Sequence, residues 1–169
     1  EFIEEFSRKC IDAGAHVFMG HGPHFMKGIE IRDGKPIFYS LGNFAYQNMT
    51  IPRMPAEFYE RFGLDKYKGT PSNIYDERVK THHAYTGPHA YERWISFYPK
   101  MFFEGDRLKE LKLYPVTLGP ERHRIHHGYP RLAKRELANR IIEIISELSS
   151  PFGTVVENRN GIGIVDLVN

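Results

Sequence analysis

A mixed α/β fold is predicted by three features of the sequence. Apolar residues recur at helical spacing near both ends, over residues 1–13 and 133–149. Between them, alternating runs reverse at Asp33-Gly34 and at Glu104-Gly105-Asp106, as antiparallel strands do. A β-type run, "GIGIVDLV", closes the chain.

The elements follow in order. "EFIEEFSRKCIDA" places Phe2, Ile3, Phe6, Cys10 and Ala13 along a helix, and Gly14 is its stop. "HVFMG" is a short buried strand. "KGIEIRDGKPIFYSL" sets Ile29 and Ile31 against Glu30 and Arg32, turns, and returns as a second strand. Residues 46–92, with Pro52, Pro55, Pro71 and Pro88 among many tyrosines, are expected to be an irregular insertion. Two strands follow at 92–103 and 107–118. "AKRELANRIIEIISELS" is an amphipathic helix whose buried face is expected to be Leu137, Ile141, Ile144, Ile145 and Leu148.

Composition narrows the function. The 169 residues suffice for one ordinary domain, and 41% hydrophobic with 14% aromatic residues is a globular balance. A formal charge of +2 argues against a nucleic-acid binder, and the most basic stretch, "ERHRIHHGYPRLAKR", reads as a solvated loop. One cysteine, Cys10, excludes an internal disulfide and a thiolate metal cluster. No apolar run approaches the roughly 18 residues of a membrane helix. The sequence opens on Glu1 inside a helical run, so it is expected to be the C-terminal part of a longer protein, a single domain over 1–169 interrupted at about 46–92.

Candidate chemistry gathers at "GHGPH". A buried strand delivers His21 and His24 onto a Gly-Pro corner, where two imidazoles can face one cation or be incidental to a surface turn. Glu30, six residues beyond His24, is expected to orient a ligand histidine and so to belong to the catalytic set; otherwise it is a solvated strand residue. Ser40 and Asn43, in "YSLGNF", suit an anionic ligand or merely brace their own turn. His82, His83 and His89, with Tyr85 and Tyr91, form a cluster that either covers a polar substrate as a lid or packs on the domain. On the lid reading, residues 66–90 are dispensable for folding.

The run "AGAHVFMGHGPHFMKGIEIRDGKPIFYSLGNF", residues 13–44, resembles the signature of the CapA family of poly-gamma-glutamate capsule synthesis proteins, which are similar to calcineurin-like metallophosphoesterases. The likeness continues in "LKELKLYPVTLG", "GYPRLA" and "LSSPFGT". It implies a sandwich of two sheets flanked by helices, with a metal site on loops at strand ends. It implies His24, and His21 beside it, as ligands of divalent ions, two in number and drawn from Mn, Zn, Fe or Mg, with Glu30 next to them. It implies Ser40 and Asn43 as contacts for an anionic small molecule or poly-gamma-glutamate; the lid reading of the residue cluster, outside the likeness, adds His82 and His83 as substrate contacts. The family commonly has G-H-H-P-H, whereas this sequence has Gly22 in the middle, which leaves the first ligand between two assignments. The carboxylate motifs of such a centre are expected upstream of Glu1, in the remainder of the same protein. The implied activity is metal-dependent hydrolysis of a phosphoester or a gamma-glutamyl amide; the alternative is a non-catalytic component of capsule synthesis or export.

Overall fold

The computed structural model describes residues 2–47, 51–81 and 90–167. Helix α1 (Phe2–Asp12) leads into the two-residue strand β1 (Phe18–Met19), then the hairpin β2 (Ile29–Arg32) and β3 (Lys35–Phe38). Helices α2 (Ala56–Arg61) and α3 (Pro71–Thr81) come next. The long hairpin β4 (Ile95–Glu104) and β5 (Arg107–Thr117) follows, then β6 (Arg131–Leu132), helix α4 (Arg135–Ser149), and the hairpin β7 (Val156–Arg159) and β8 (Ile162–Val165).

These strands make two sheets. The first has the order β1-β3-β2, with β1 parallel and β2 antiparallel to β3. The second has the order β4-β5-β8-β7, with β6 joined to β5. The expected α/β class, two sheets with flanking helices, is what the chain adopts, and it is consistent with a metallophosphoesterase-like layout. Asp33 and Gly34 both take positive φ (50° and 71°), which gives the β2–β3 turn the twist its strands require. Asn160 and Gly161 do the same for β7–β8 (55° and 81°).

Side-chain alternation divides the first sheet between two environments. Ile29, Ile31 and Phe38 enter the main core with Ile95, Phe97, Leu111, Leu113, Ile141, Ile142 and Ile145. Phe38 and Phe97 link the sheets there, their ring centroids 6.2 Å apart. The intervening residues Ile37 and Tyr39 face α1 and pack with Ile11. Ser149, at the end of α4, is fully buried: its hydroxyl donates to the Ile145 carbonyl and accepts from the Ile29 amide at 3.0 Å. The "LSSPFGT" segment therefore pins α4 to the start of β2.

Two expectations are corrected here. In α4 the expected Ile141 and Ile145 are buried and Leu137 and Ile144 pack partly buried against the core, but Leu148 is exposed, and Ala138, Ile142 and Ser149 are buried besides. Leu148 lines an open groove of about 620 Å³, with the outer side of Ile144 and with Ile3, Phe25, Met26 and Phe152. The segment expected to be irregular carries α2 and α3, and it packs: Tyr59, Ile74 and Tyr75 are buried. Arg124 ties α3 to the loop after β5, bonding Asp76 at 2.7 Å and the Ser72 carbonyl at 3.0 Å. Excising residues 66–90 would remove the buried Ile74 and Tyr75 and uncover what they pack on, which argues against the dispensability that the lid reading required.

Candidate functional site

The corner between β1 and β2 is built by close backbone approach. The Gly20 amide donates to the Phe38 carbonyl at 2.7 Å, and Lys27 donates to the Ser40 carbonyl at 3.0 Å. A Cβ on Gly20 would lie 2.5 Å from the Tyr39 carbonyl oxygen, so a larger residue would push the corner off β3. Gly22 has a φ of 131°, and His24 has a φ of 67°. The left-handed region costs an L-residue strain, of order 1–3 kcal/mol at functional sites, although histidine is among the side chains enriched there.

His24 is exposed, and its ring is nevertheless held. Its Nδ1 lies 2.8 Å from the Oδ1 of Asn43. Asn43 is buried, and its Nδ2 donates to the carbonyls of His24 (3.3 Å) and Arg93 (3.1 Å). Those two acceptors fix which end of the carboxamide faces the imidazole, since the reversed amide would set oxygen against oxygen. Tyr46 meets the His24 ring edge-on at 5.8 Å, Trp94 meets Tyr46 at 6.5 Å, and His127 meets Trp94 at 5.5 Å. Gly128 closes the row by backbone contact: it accepts from the Tyr46 amide at 3.0 Å.

The other expected site residues separate from this group. Ser40 is buried, donates to the Phe25 carbonyl at 2.8 Å and accepts from the Gly42 amide at 3.3 Å; it braces the turn, with no surface to offer a ligand. Glu30 points to the α1 face. Arg8 Nε donates to both of its carboxylate oxygens at 3.0 Å, Arg8 Nη2 to Oε2 at 2.9 Å, and the Tyr39 hydroxyl to Oε2 at 2.5 Å. The expectation that Glu30 orients a ligand histidine is therefore corrected: period-two alternation turns it beneath Arg8, and Asn43 holds the place beside His24. Burial pushes the Glu30 carboxyl up, but the Arg8 and Tyr39 hydrogen bonds and the Arg8 charge outweigh it and hold the group below its ordinary value. Burial first, then the bond to Glu30, pushes the Tyr39 hydroxyl up to about 12.

His21 is exposed on the same corner, whereas His82, His83 and His89 lie outside the described residues. Among the described residues, no three His, Cys, Asp or Glu side chains gather closely enough to hold a metal ion. His24 could offer a cation one nitrogen donor; among the described residues, the carboxylates of a two-ion centre are not beside it. Sequence reasoning missed Tyr46, Trp94 and His127. Tyr46, three residues past Asn43 in "NFAYQ", held no motif to flag, and His127 was hidden in a loop read as solvated.

The corner also carries the sequence similarity. The profile of the family described as "Bacterial capsule synthesis protein" matches residues 1–48. Two uncharacterized proteins of Sinorhizobium fredii, y4sH and y4uA, are each 36% identical over 175 residues, covering 99% of this chain. The chain spans 37% of the length of either relative. The Bacillus subtilis protein named "PGA biosynthesis protein CapA" is 37% identical over 76 residues, covering 43% of this chain and 20% of its own length.

Proposed function

The chain belongs to the CapA family of bacterial capsule synthesis proteins, and on that premise we propose that its histidine corner is the nitrogen half of a divalent-metal centre in a hydrolase. The substrate class is a phosphoester or a gamma-glutamyl amide, within poly-gamma-glutamate capsule metabolism. One observation carries the reading: an exposed imidazole stands at a strained φ with Nδ1 committed to a buried carboxamide, which leaves Nε2 as the outward donor.

Divalent cations bound there supply Lewis-acid polarisation of the scissile oxygen and a water of lowered pKa. His24 offers Nε2, His21 offers a second imidazole from the same corner, and Tyr46 limits the swing of the His24 ring. The carboxylate ligands come, in this reading, from outside the described residues. Such a centre needs oxygen as well as nitrogen donors, so the 169-residue chain alone is expected to bind divalent metal weakly.

The test compares His24→Ala with His83→Ala in the complete gene product by elemental analysis, with hydrolysis of a chromogenic phosphodiester and of a gamma-glutamyl anilide alongside. His24→Ala is expected to lower metal occupancy at least about tenfold, with His83→Ala close to wild type. Equal occupancy in the two variants removes the metal assignment and leaves a non-catalytic capsule component.

A further inference from the structure

We propose that Asn43 is a positioning residue, setting the tautomer of His24 so that Nδ1 carries the proton and Nε2 the lone pair. The inference rests on the metal-ligand reading for its purpose but not for its geometry. In a neutral imidazole one nitrogen donates and the other accepts, and the bond made by one decides the role of the other. Here the partner of Nδ1 is a carboxamide oxygen, which accepts only. The oxygen cannot exchange places with the amide nitrogen, because Nδ2 is committed to the carbonyls of His24 and Arg93. Asn43 is 8% exposed, so bulk water does not substitute for those partners.

The arrangement spans three segments. Asn43 follows the Gly42 turn after β3, His24 stands on the corner before β2, and Arg93 lies in the one-turn 3-10 segment Ala90–Trp94 that leads into β4. Gly42 also bridges to Ser96 of β4, and the Asn43 bond to Arg93 repeats that link between the two sheets. The carboxamide thus reads the relative position of the sheets and passes it to one imidazole. A ligand histidine whose second nitrogen is bonded in this way presents a fixed ring plane to its cation, and loss of such a partner typically weakens metal binding 10–100-fold.

Two substitutions separate this role from simple bracing. Asn43→Ala removes the acceptor and both donated bonds. Asn43→Asp also loses the donated bonds but keeps an oxygen that accepts from Nδ1. A purely structural role makes the two variants equivalent, or makes aspartate worse, because its carboxylate faces two carbonyls. A positioning role leaves the tautomer intact in Asn43→Asp alone.

The readout is a long-range 15N–1H correlation spectrum of the full-length, 15N-histidine-labelled protein without metal, at about pH 9, above the ordinary imidazole range. His24→Gln assigns the resonance. Wild type and Asn43→Asp are expected to show the Nδ1–H pattern, and Asn43→Ala the free Nε2–H-dominated mixture. A wild-type spectrum with the proton on Nε2 overturns the proposal whether or not any variant folds. So does an Asn43→Ala spectrum unchanged from wild type. Metal titration then gives a second arm, with affinity 10–100-fold weaker in Asn43→Ala and largely retained in Asn43→Asp. An Nδ1–H wild type whose metal content is indifferent to His24→Ala would sink the metal reading and leave the positioning role standing.

Discussion

Replacing Arg8 by leucine tests what attaches α1 to the sheet behind the histidine corner. Three nitrogen–oxygen contacts at 2.9–3.0 Å join Arg8 to Glu30, whose side chain is only 11% exposed while that of Arg8 is 37% exposed. Breaking a fully buried ion pair costs about 3–5 kcal/mol, and the partial exposure of Arg8 reduces the expected loss to about 2 kcal/mol at pH 7. For a chain of this size that lowers Tm by about 4–8 °C. The pH dependence carries the sharper test. In the wild type the Glu30 carboxyl is held below its reference value of 4.5, so its contribution is present above that value and is lost as pH falls through the depressed one. In Arg8→Leu, burial is opposed only by the Tyr39 bond and the Arg32 charge, so the carboxyl is held down less than in the wild type. Acid then weakens the variant less than the wild type. The gap between them should therefore shrink from about 2 kcal/mol at pH 7 as pH falls through the depressed wild-type value. Urea titration followed by the fluorescence of Trp94, the single tryptophan, measures both. A gap that stays constant over that range would mean that Arg8 acts through the packing of its methylenes, and the electrostatic account would be abandoned.

The other predictions concern packing. Gly128→Ala places a Cβ 1.9 Å from the Tyr46 carbonyl oxygen at a φ of 81°, so it should destabilise by about 2–4 kcal/mol and shift the Trp94 emission as Tyr46 is displaced; unchanged emission and stability would refute the close approach. Ile142→Ala should cost about 2–5 kcal/mol in urea titration, whereas Leu148→Ala, at a groove-lining residue 38% exposed, should cost less than about 1.5 kcal/mol; the reverse order would restore the helix face expected from sequence.

Much of the fold was legible because it rests on local chemistry. Asp33-Gly34 fixed the register of the first hairpin, and the apolar spacing located α1 and α4. The start of α3 was written in the sequence too: Thr70, Pro71 and Asn73 form a reciprocal cap, Thr70 N to Asn73 Oδ1 at 2.8 Å and Asn73 N to Thr70 Oγ1 at 3.3 Å. The surrounding prolines and tyrosines obscured it. Asn160-Gly161 carried an equally clear turn signal, yet only the closing strand was read there and the hairpin's first strand was missed. The site was harder to read. Alternation says that Glu30 and Ile31 face opposite ways, but which face receives α1 is decided by tertiary packing. The exposure of Leu148 has the same origin, since the groove it lines beside Ile144 exists only once α1 and the corner are in place. Asn43 was singled out for its polarity and glycine neighbour, yet its partner, nineteen residues away, emerges only when the ends of β1 and β3 are brought together.

The left-handed backbone at residue 24 also acts as a filter on descent. Single-base changes in a histidine codon lead to Tyr, Asn, Asp, Gln, Arg, Leu or Pro. Among these, only Asn and Asp are at ease at a φ of 67°, and Pro is incompatible with it. Asp keeps an anionic oxygen where the imidazole stood; Asn keeps a neutral one. A lineage under weak selection can thus lose the imidazole and keep the corner by very few one-step routes, and each leaves a recognisable residue behind. Decay of this position would then be legible in a gene that had lost it, as Asn or Asp within an otherwise intact G-H-G-P corner.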